Sequence, residues 1–336
     1  MVLAGLALLP LALVVGEGSR VATLRKQWRL VGGVGLAGLL LALLVRSPYE
    51  LETRYFSIAV IDGTKDGRTV KRLVLDRLIH SEVDFSDPQW LGYPHEQIQA
   101  DLTRAINRQA ARTGQNTRLL VIGGGGYTLP KWVENQPDLK DVAVEVVEID
   151  PGVTEVAHRK LGLSRDTRII SHHLDGRQFV KRAEAEIYDL VIQDAVNDFS
   201  VPYHIMTREY NELISRTLKP DGIYLLTVID SLQDGPFLRA ALRTMQASFA
   251  DVRVLSPTDD WDNAGRSVYV LAGCSKHCAG RIETLLKQTS AFSLPDSKLR
   301  ELAAQDGPRG IILTDQYAPV DTLIARRFLG QEPRKP

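Results

Sequence analysis

Uncharged, mostly apolar residues fill positions 1–16 and 30–45 without a break. Neither run has the polar face of a soluble amphipathic helix. At 16 residues each, they fall just short of the roughly 17–25 of a spanning helix. Trp28, Arg29 and Arg46 flank the second run and extend it by reaching the interface. Gly32, Gly33, Gly35 and Gly38 permit close helix contact in lipid. A cleaved leader would need a basic start, and Met1 leads directly into the apolar run. The pattern therefore predicts two transmembrane helices over residues 1–46, in a multi-pass cell-membrane protein. The linker between them holds Arg20, Arg25, Lys26 and Arg29 against Glu17. Positive charge keeps a linker cytoplasmic, which with two spans puts the remainder outside.

A different pattern follows. Residues 55–62 and 69–76 alternate as strands do, and Gly63-Thr64-Lys65-Asp66-Gly67-Arg68 joins them as a longer loop of a β-hairpin. Ile98, Leu102 and Ile106 recur every fourth position and predict a helix over 95–112. Short apolar strands then recur at 118–122, 142–149, 168–172, 189–192, 222–228, 252–255 and 267–272, with a helix over 237–249. Pro151 stands where a helix begins. Strands alternating with helices predict a doubly wound, mainly parallel α/β sheet of seven strands, with an antiparallel final strand allowed. The expected organisation is a membrane segment (1–46), a small β domain (47–94), the sheet domain (95–273) and a C-terminal extension (274–336). The extension has two short helical patterns and no assigned chemistry.

Composition narrows the function. The 41 basic and 41 acidic residues cancel, against a general nucleic-acid binder. With 44% hydrophobic and 24% charged residues, the chain buries enough surface to fold. Two cysteines rule out a disulfide scaffold. Cys274-Ser275-Lys276-His277-Cys278 lacks a second ligand cluster, and His172 and His173 point to opposite faces of a strand, so no metal is expected. A disulfide between the cysteines fits only an oxidising compartment.

Ligands bind at the carboxyl ends of strands in such sheets, and the chemistry-bearing residues collect there. Gly123-Gly124-Gly125-Gly126 lets a ligand approach the backbone, or is simply a flexible turn. It is neither G-x-G-x-x-G nor a P-loop. Glu148, 22–25 residues further on, suits the two hydroxyls of a ribose; Asp150, before Pro151, suits a helix start. Asp175-Gly176 offers a carboxylate to an exocyclic amine, or caps a turn. Asp194 and Asp198 on one loop suit a cationic amine and its proton, or cap their own backbone.

The order of these motifs resembles the spermidine synthase (polyamine aminopropyltransferase) family, and more closely its membrane-fused bacterial subgroup. The likeness runs from about residue 55 to 272 and is weaker beyond. It is carried by Leu73-Val74-Leu75-Asp76-Arg77-Leu78-Ile79-His80-Ser81, Tyr93-Pro94-His95-Glu96, residues 121–128, 147–151 and 193–204, Asp175-Gly176, and Thr314-Asp315-Gln316-Tyr317-Ala318-Pro319-Val320-Asp321. The resemblance implies a small β domain before a class I methyltransferase-like (Rossmann-like) sheet. It implies transfer of an aminopropyl group from decarboxylated S-adenosylmethionine to a diamine or polyamine, with release of 5′-methylthioadenosine and no metal. By the resemblance, members are often dimers or tetramers, which allows a homodimer here. Gly123, Gly124 and Gly125 would line the nucleoside, Glu148 would hold the ribose, and Asp175 and Gly176 the adenine. Asp194 would accept the proton, with Asp198 (or Asn197) as the second acid of that loop. His80 and His95 would lie near the substrate. The family's Gly-Gly-Gly-Asp-Gly reads Gly-Gly-Gly-Gly-Tyr here, so one amine-binding carboxylate is missing, and Tyr127 would cap the amine pocket or fill it. That gap leaves room for an S-adenosylmethionine-dependent methyltransferase, or for a nucleoside- or polyamine-sensing domain without turnover. A cytosolic donor favours a cytoplasmic catalytic domain, against the linker charge, and orientation stays open.

Overall fold

The computed structural model describes residues 32–35, 49–195, 201–262, 265–275, 280–307 and 310–329. Of the expected membrane segment only 32–35 falls among these, as one helical stretch; the rest of that expectation lies outside the described residues. Among the described residues no helix is long and apolar enough to cross a membrane. The chain divides after Tyr49, and the unit that follows carries the fold.

Four antiparallel strands open it in the order β1 (Leu51–Glu52), β2 (Ser57–Lys65), β3 (Arg68–Leu75) and β4 (Leu78–Val83). The β2–β3 loop is shorter than expected. Lys65 pairs with Arg68, so Asp66 and Gly67 alone make the turn, at φ of 50° and 77°. Asp-Gly is the dipeptide that a type I′ hairpin favours, and strand alternation simply continues through Gly63. A second tight turn at Asp76 (φ 56°) makes 78–83 a strand that the sequence reading left out. Ile58, Leu73 and Leu75 face inward and are buried.

The main sheet has eight strands in the order β12-β10-β11-β9-β8-β5-β6-β7. These are β5 (Arg118–Ile122), β6 (Ala143–Val147), β7 (Ile170–His172), β8 (Tyr188–Gln193), β9 (Leu218–Ser231), β10 (Asp251–Ser256), β11 (Arg266–Cys274) and β12 (Phe292–Ser293). Strands β7-β6-β5-β8-β9 run parallel. Strand β11 is antiparallel to β9, and β10 and β12 follow antiparallel. Seven strands match the expectation; β12 is the extra one and comes from the C-terminal extension. Cys274, at the end of β11, is disulfide-bonded, a bond that persists in oxidising compartments.

Successive residues of β5 face opposite ways, as pleating requires. Leu119 and Val121 join one core with Ile98, Leu102 and Ile106 of α1 (Pro94–Arg112), beside α2 (Thr128–Glu134) and α3 (Pro151–Lys160). Leu120 and Ile122 join the other core with α4 (Gly176–Arg182), α5 (Arg208–Thr217) and α6 (Pro236–Gln246). The extension divides between the two. Its helix α7 (Arg281–Leu286) packs in the first core, and α8 (Asp296–Ala304) and α9 (Val320–Leu329) in the second.

Candidate active site

The carboxyl ends of β5, β6, β7 and β8 open on a cavity of about 480 Å³, which also takes its walls from β3, β4 and the start of α1. The glycine loop closes its floor. A Cβ on Gly123 (φ 101°) would lie 2.6 Å from the Asp194 carbonyl oxygen, and one on Gly124 would lie 2.9 Å from the Tyr127 ring and 3.1 Å from Glu148. Real Cβ atoms do not approach so closely, so Gly123 and Gly124 let both acidic residues sit against the loop.

Glu148 lies just past β6 and is buried. One carboxylate oxygen accepts the Gly124 N–H at 2.8 Å, and the other accepts the Asp150 N–H at 2.9 Å. Burial pushes its pKa up, and the N–H groups of Asp150, Gly124 and Gly125 oppose this without cancelling it. Asp150 itself accepts the Gly152 N–H at 2.8 Å and caps α3, as a helix start before Pro151 requires. Asp175 does two things. It caps α4 through the Gln178 N–H at 3.0 Å, and it pairs with His204 Nε2 at 2.6 Å. Gly176 beside it has no space for a side chain, because a Cβ would meet Ile122 at 2.8 Å.

Asp194 follows β8 at the cavity wall. Its Oδ2 lies 3.3 Å from His95 Nε2 and accepts Gln99 Nε2 at 3.4 Å; Gln99 also donates to Thr227 Oγ1 at 3.0 Å. Burial pushes Asp194 up, but the charge and hydrogen bond of His95, with Gln99 and Thr227, outweigh it and hold the carboxyl below the usual range. The reverse holds for His95. Burial lowers it, and Asp194 more than compensates, so the imidazole is raised. Each group thus favours the charged form of the other. Pro94 does not disrupt this. It occupies the first turn of α1, where its missing N–H is no loss, and places His95 at the helix start facing the cavity. Glu96 beside it is buried, bonded to the Thr128 hydroxyl and the Tyr93 N–H, and pushed up by burial.

His80 lines the cavity with His95. Tyr127 does not, and its expected place in an amine pocket is corrected. Its ring is fully buried beneath Gly124, and its hydroxyl bonds Thr154 at 2.9 Å and Ser171 at 3.0 Å. The residue sits at φ 55°, a left-handed conformation that costs a non-glycine residue about 1–2 kcal/mol. Position 126 is glycine for a local reason. A Cβ there would lie 2.7 Å from Ser81 Cβ, and the Gly126 N–H donates to Ser81 Oγ at 2.8 Å. Asp198 and Asn197 lie outside the described residues. The adjacent histidines separate as expected, His172 to Glu145 at 2.9 Å and His173 to Thr154 at 3.1 Å.

Sequence reasoning gave no role to Ser81, Gln99, Thr227 or His204. Gln99 stands one helical turn after His95, a signal that was legible. Thr227 meets the site across the sheet, with no local signal.

Residues 104–257 match the model of the spermine/spermidine synthase domain. Over that stretch, a little under half of its length, the chain is similar to the spermine/spermidine synthase family. The family match spans the glycine loop, Glu148, Asp175 and Asp194, and leaves His80 and His95 outside it. A polyamine aminopropyltransferase of Vibrio vulnificus is 26% identical over 214 residues, 61% of this chain and 69% of that protein. Putrescine N-methyltransferase 2 of Nicotiana attenuata is 31% identical over 111 residues, 32% of this chain and 29% of that protein. For the fold, a probable spermidine synthase from Corynebacterium glutamicum superposes with a TM-score of 0.66 at 17% identity, over 82% of this chain and 99% of that one.

Proposed function

We propose that this spermidine synthase homologue is an aminopropyltransferase that uses decarboxylated S-adenosylmethionine and releases 5′-methylthioadenosine. The observation that carries the reading is the convergence of Glu148, Asp175 and Asp194 on one cavity, at the carboxyl ends of neighbouring strands. Glu148 and Asp175 flank the glycine loop, where a ribose and an adenine are held by carboxylates. Asp194 lies on the far side of that loop, in its pair with His95. The donor is a sulfonium. A neutral amine nitrogen attacks the adjacent methylene, the carbon–sulfur bond breaks with its electrons going to sulfur, and methylthioadenosine leaves. The nitrogen then carries one proton too many. Asp194, kept ionised by His95, attracts the acceptor amine and takes that proton. The acceptor is a diamine or polyamine in this reading.

The alternative is methyl transfer from S-adenosylmethionine. It is favoured by Gly126, where Ser81 fills the space of a carboxylate side chain, and by the relative named as a putrescine N-methyltransferase. Incubating the full chain with each donor and a panel of amines separates them. Amine-dependent methylthioadenosine supports aminopropyl transfer; S-adenosylhomocysteine in its place overturns it. We also propose that residues 1–46 seat the enzyme in the lipid bilayer. The uncharged runs and their basic flanks support this, and release of the full chain from membranes by alkaline carbonate would refute it.

A further inference from the structure

The segment after α8 returns to the cavity from behind. Leu313 is buried, its N–H donates to Thr244 Oγ1 at 2.9 Å, and its carbonyl accepts the Arg208 N–H at 2.8 Å. That fixes Asp315 against α4 and α5. Arg177 grips Asp315 with both terminal nitrogens, at 2.6 and 2.5 Å, and Thr207 Oγ1 donates to the same carboxylate at 2.7 Å. The Asp315 N–H donates to Glu209 at 3.0 Å. Arg177 Nη1 also donates to the His204 carbonyl at 2.8 Å. His204 in turn meets Asp175 at 2.6 Å, and Asp175, Pro202, His204 and Ile205 all line the cavity.

We propose that Asp315 is a positioning residue for the nucleoside end of the cavity. It acts through Arg177 on the segment 202–207, and so the C-terminal extension is a working part of the site. The proposal rests on the reading that this cavity takes an adenine nucleoside. Asp315 touches no cavity surface itself. It orients the guanidinium, the guanidinium holds the His204 backbone, and the backbone sets the imidazole against Asp175. A planar, two-pronged grip fixes direction as well as distance, which a lysine in place of Arg177 does not reproduce.

The test measures binding of 5′-methylthioadenosine and of S-adenosylhomocysteine to the full chain by titration calorimetry, alongside donor kinetics. In Asp315→Asn and in Arg177→Lys, both dissociation constants and the donor KM rise about five- to tenfold. Turnover at saturating donor stays within about twofold, and the acceptor KM is unchanged. The double variant is no worse than the worse single one, because both act along one chain of contacts. Tyr317→Ala, on the exposed turn of the same segment, leaves nucleoside affinity intact. Unchanged nucleoside affinity in Asp315→Asn overturns the proposal, as does a fall in melting temperature without a change in affinity. If the parent chain binds neither nucleoside, the reading of the cavity fails first and this proposal with it. Binding of S-adenosylhomocysteine with the expected losses keeps the proposal even if aminopropyl transfer is absent.

Discussion

Replacing Asp194 with Asn keeps the side chain's volume and removes its charge. Two unit charges at the 3.3 Å that separates Asp194 from His95 attract by about 5 kcal/mol at an effective dielectric of about 20. Desolvation of the two groups takes back most of that. The variant leaves His95 largely buried with only the weaker pull of Glu96 in place of the Asp194 charge, so its pKa falls from its raised value. The sign follows from the folded-state shifts. The raised His95 contributes stability below its ordinary value and loses it as pH rises through the raised one. The lowered Asp194 contributes above its own ordinary value and loses it as pH falls through the lowered one. The pair therefore stabilises the fold across the mildly acidic range, and Asp194→Asn removes that contribution. Loss of the proton acceptor slows turnover by about 10²–10⁴-fold, or about 3–5 kcal/mol of activation free energy. Methylthioadenosine release, followed by mass spectrometry, reads the rate. The His95 ring resonances, followed by NMR against pH, read the pair. Turnover within about threefold of the parent, or a His95 midpoint that does not move, would refute the reasoning.

Glu148→Gln replaces one of two accepting oxygens with a donor that faces a backbone N–H; nucleoside affinity falls by about 10-fold or more, since a buried N–H loses its partner, and calorimetry showing no change counts against the ribose assignment. Tyr127→Phe lowers stability by about 0.5–1.5 kcal/mol in urea unfolding and leaves the acceptor KM alone; a raised KM would return Tyr127 to the amine pocket. Gly126→Asp costs about 1–3 kcal/mol through overpacking against Ser81. Adding Ser81→Gly recovers part of it, and a single variant as stable as the parent shows that the loop has slack.

Much of the sheet was legible because β5, β6 and β8 are largely apolar runs followed directly by a glycine or an acid. The run 118–122 and the Gly123 loop coincide with β5 and its turn. What was not legible depended on register and distance. Residues 78–83 carry His80, Ser81 and Glu82 and received no strand assignment, yet they complete a strand because Asp76 turns the chain tightly. Tyr127 read as a residue that caps the amine pocket or fills it. Only packing shows that its ring enters the core and that Thr154 and Ser171 hold its hydroxyl. Asp194, Glu148 and Asp175 were found because they end strands. Arg177 and Asp315, 138 residues apart in sequence, gave no local sign of their pairing. The extension was read as two helices without chemistry; it supplies α7, α8, α9 and the strand β12.

Strand β12 has a consequence for self-association. An uncovered sheet edge offers backbone groups that any strand can satisfy, whatever its sequence. Here Phe292 and Ser293 pair with the carboxyl half of β10, and Leu294 adds an N–H to the Val254 carbonyl at 2.8 Å. The other half carries Asp251 and Arg253, joined at 3.1 Å. At the opposite edge β7 spans three residues, about 10 Å of strand. Continuous sheet growth between two copies thus finds little to grip at either end. Two copies brought together would therefore meet through side-chain surfaces rather than these edges, where complementary shape selects the contact.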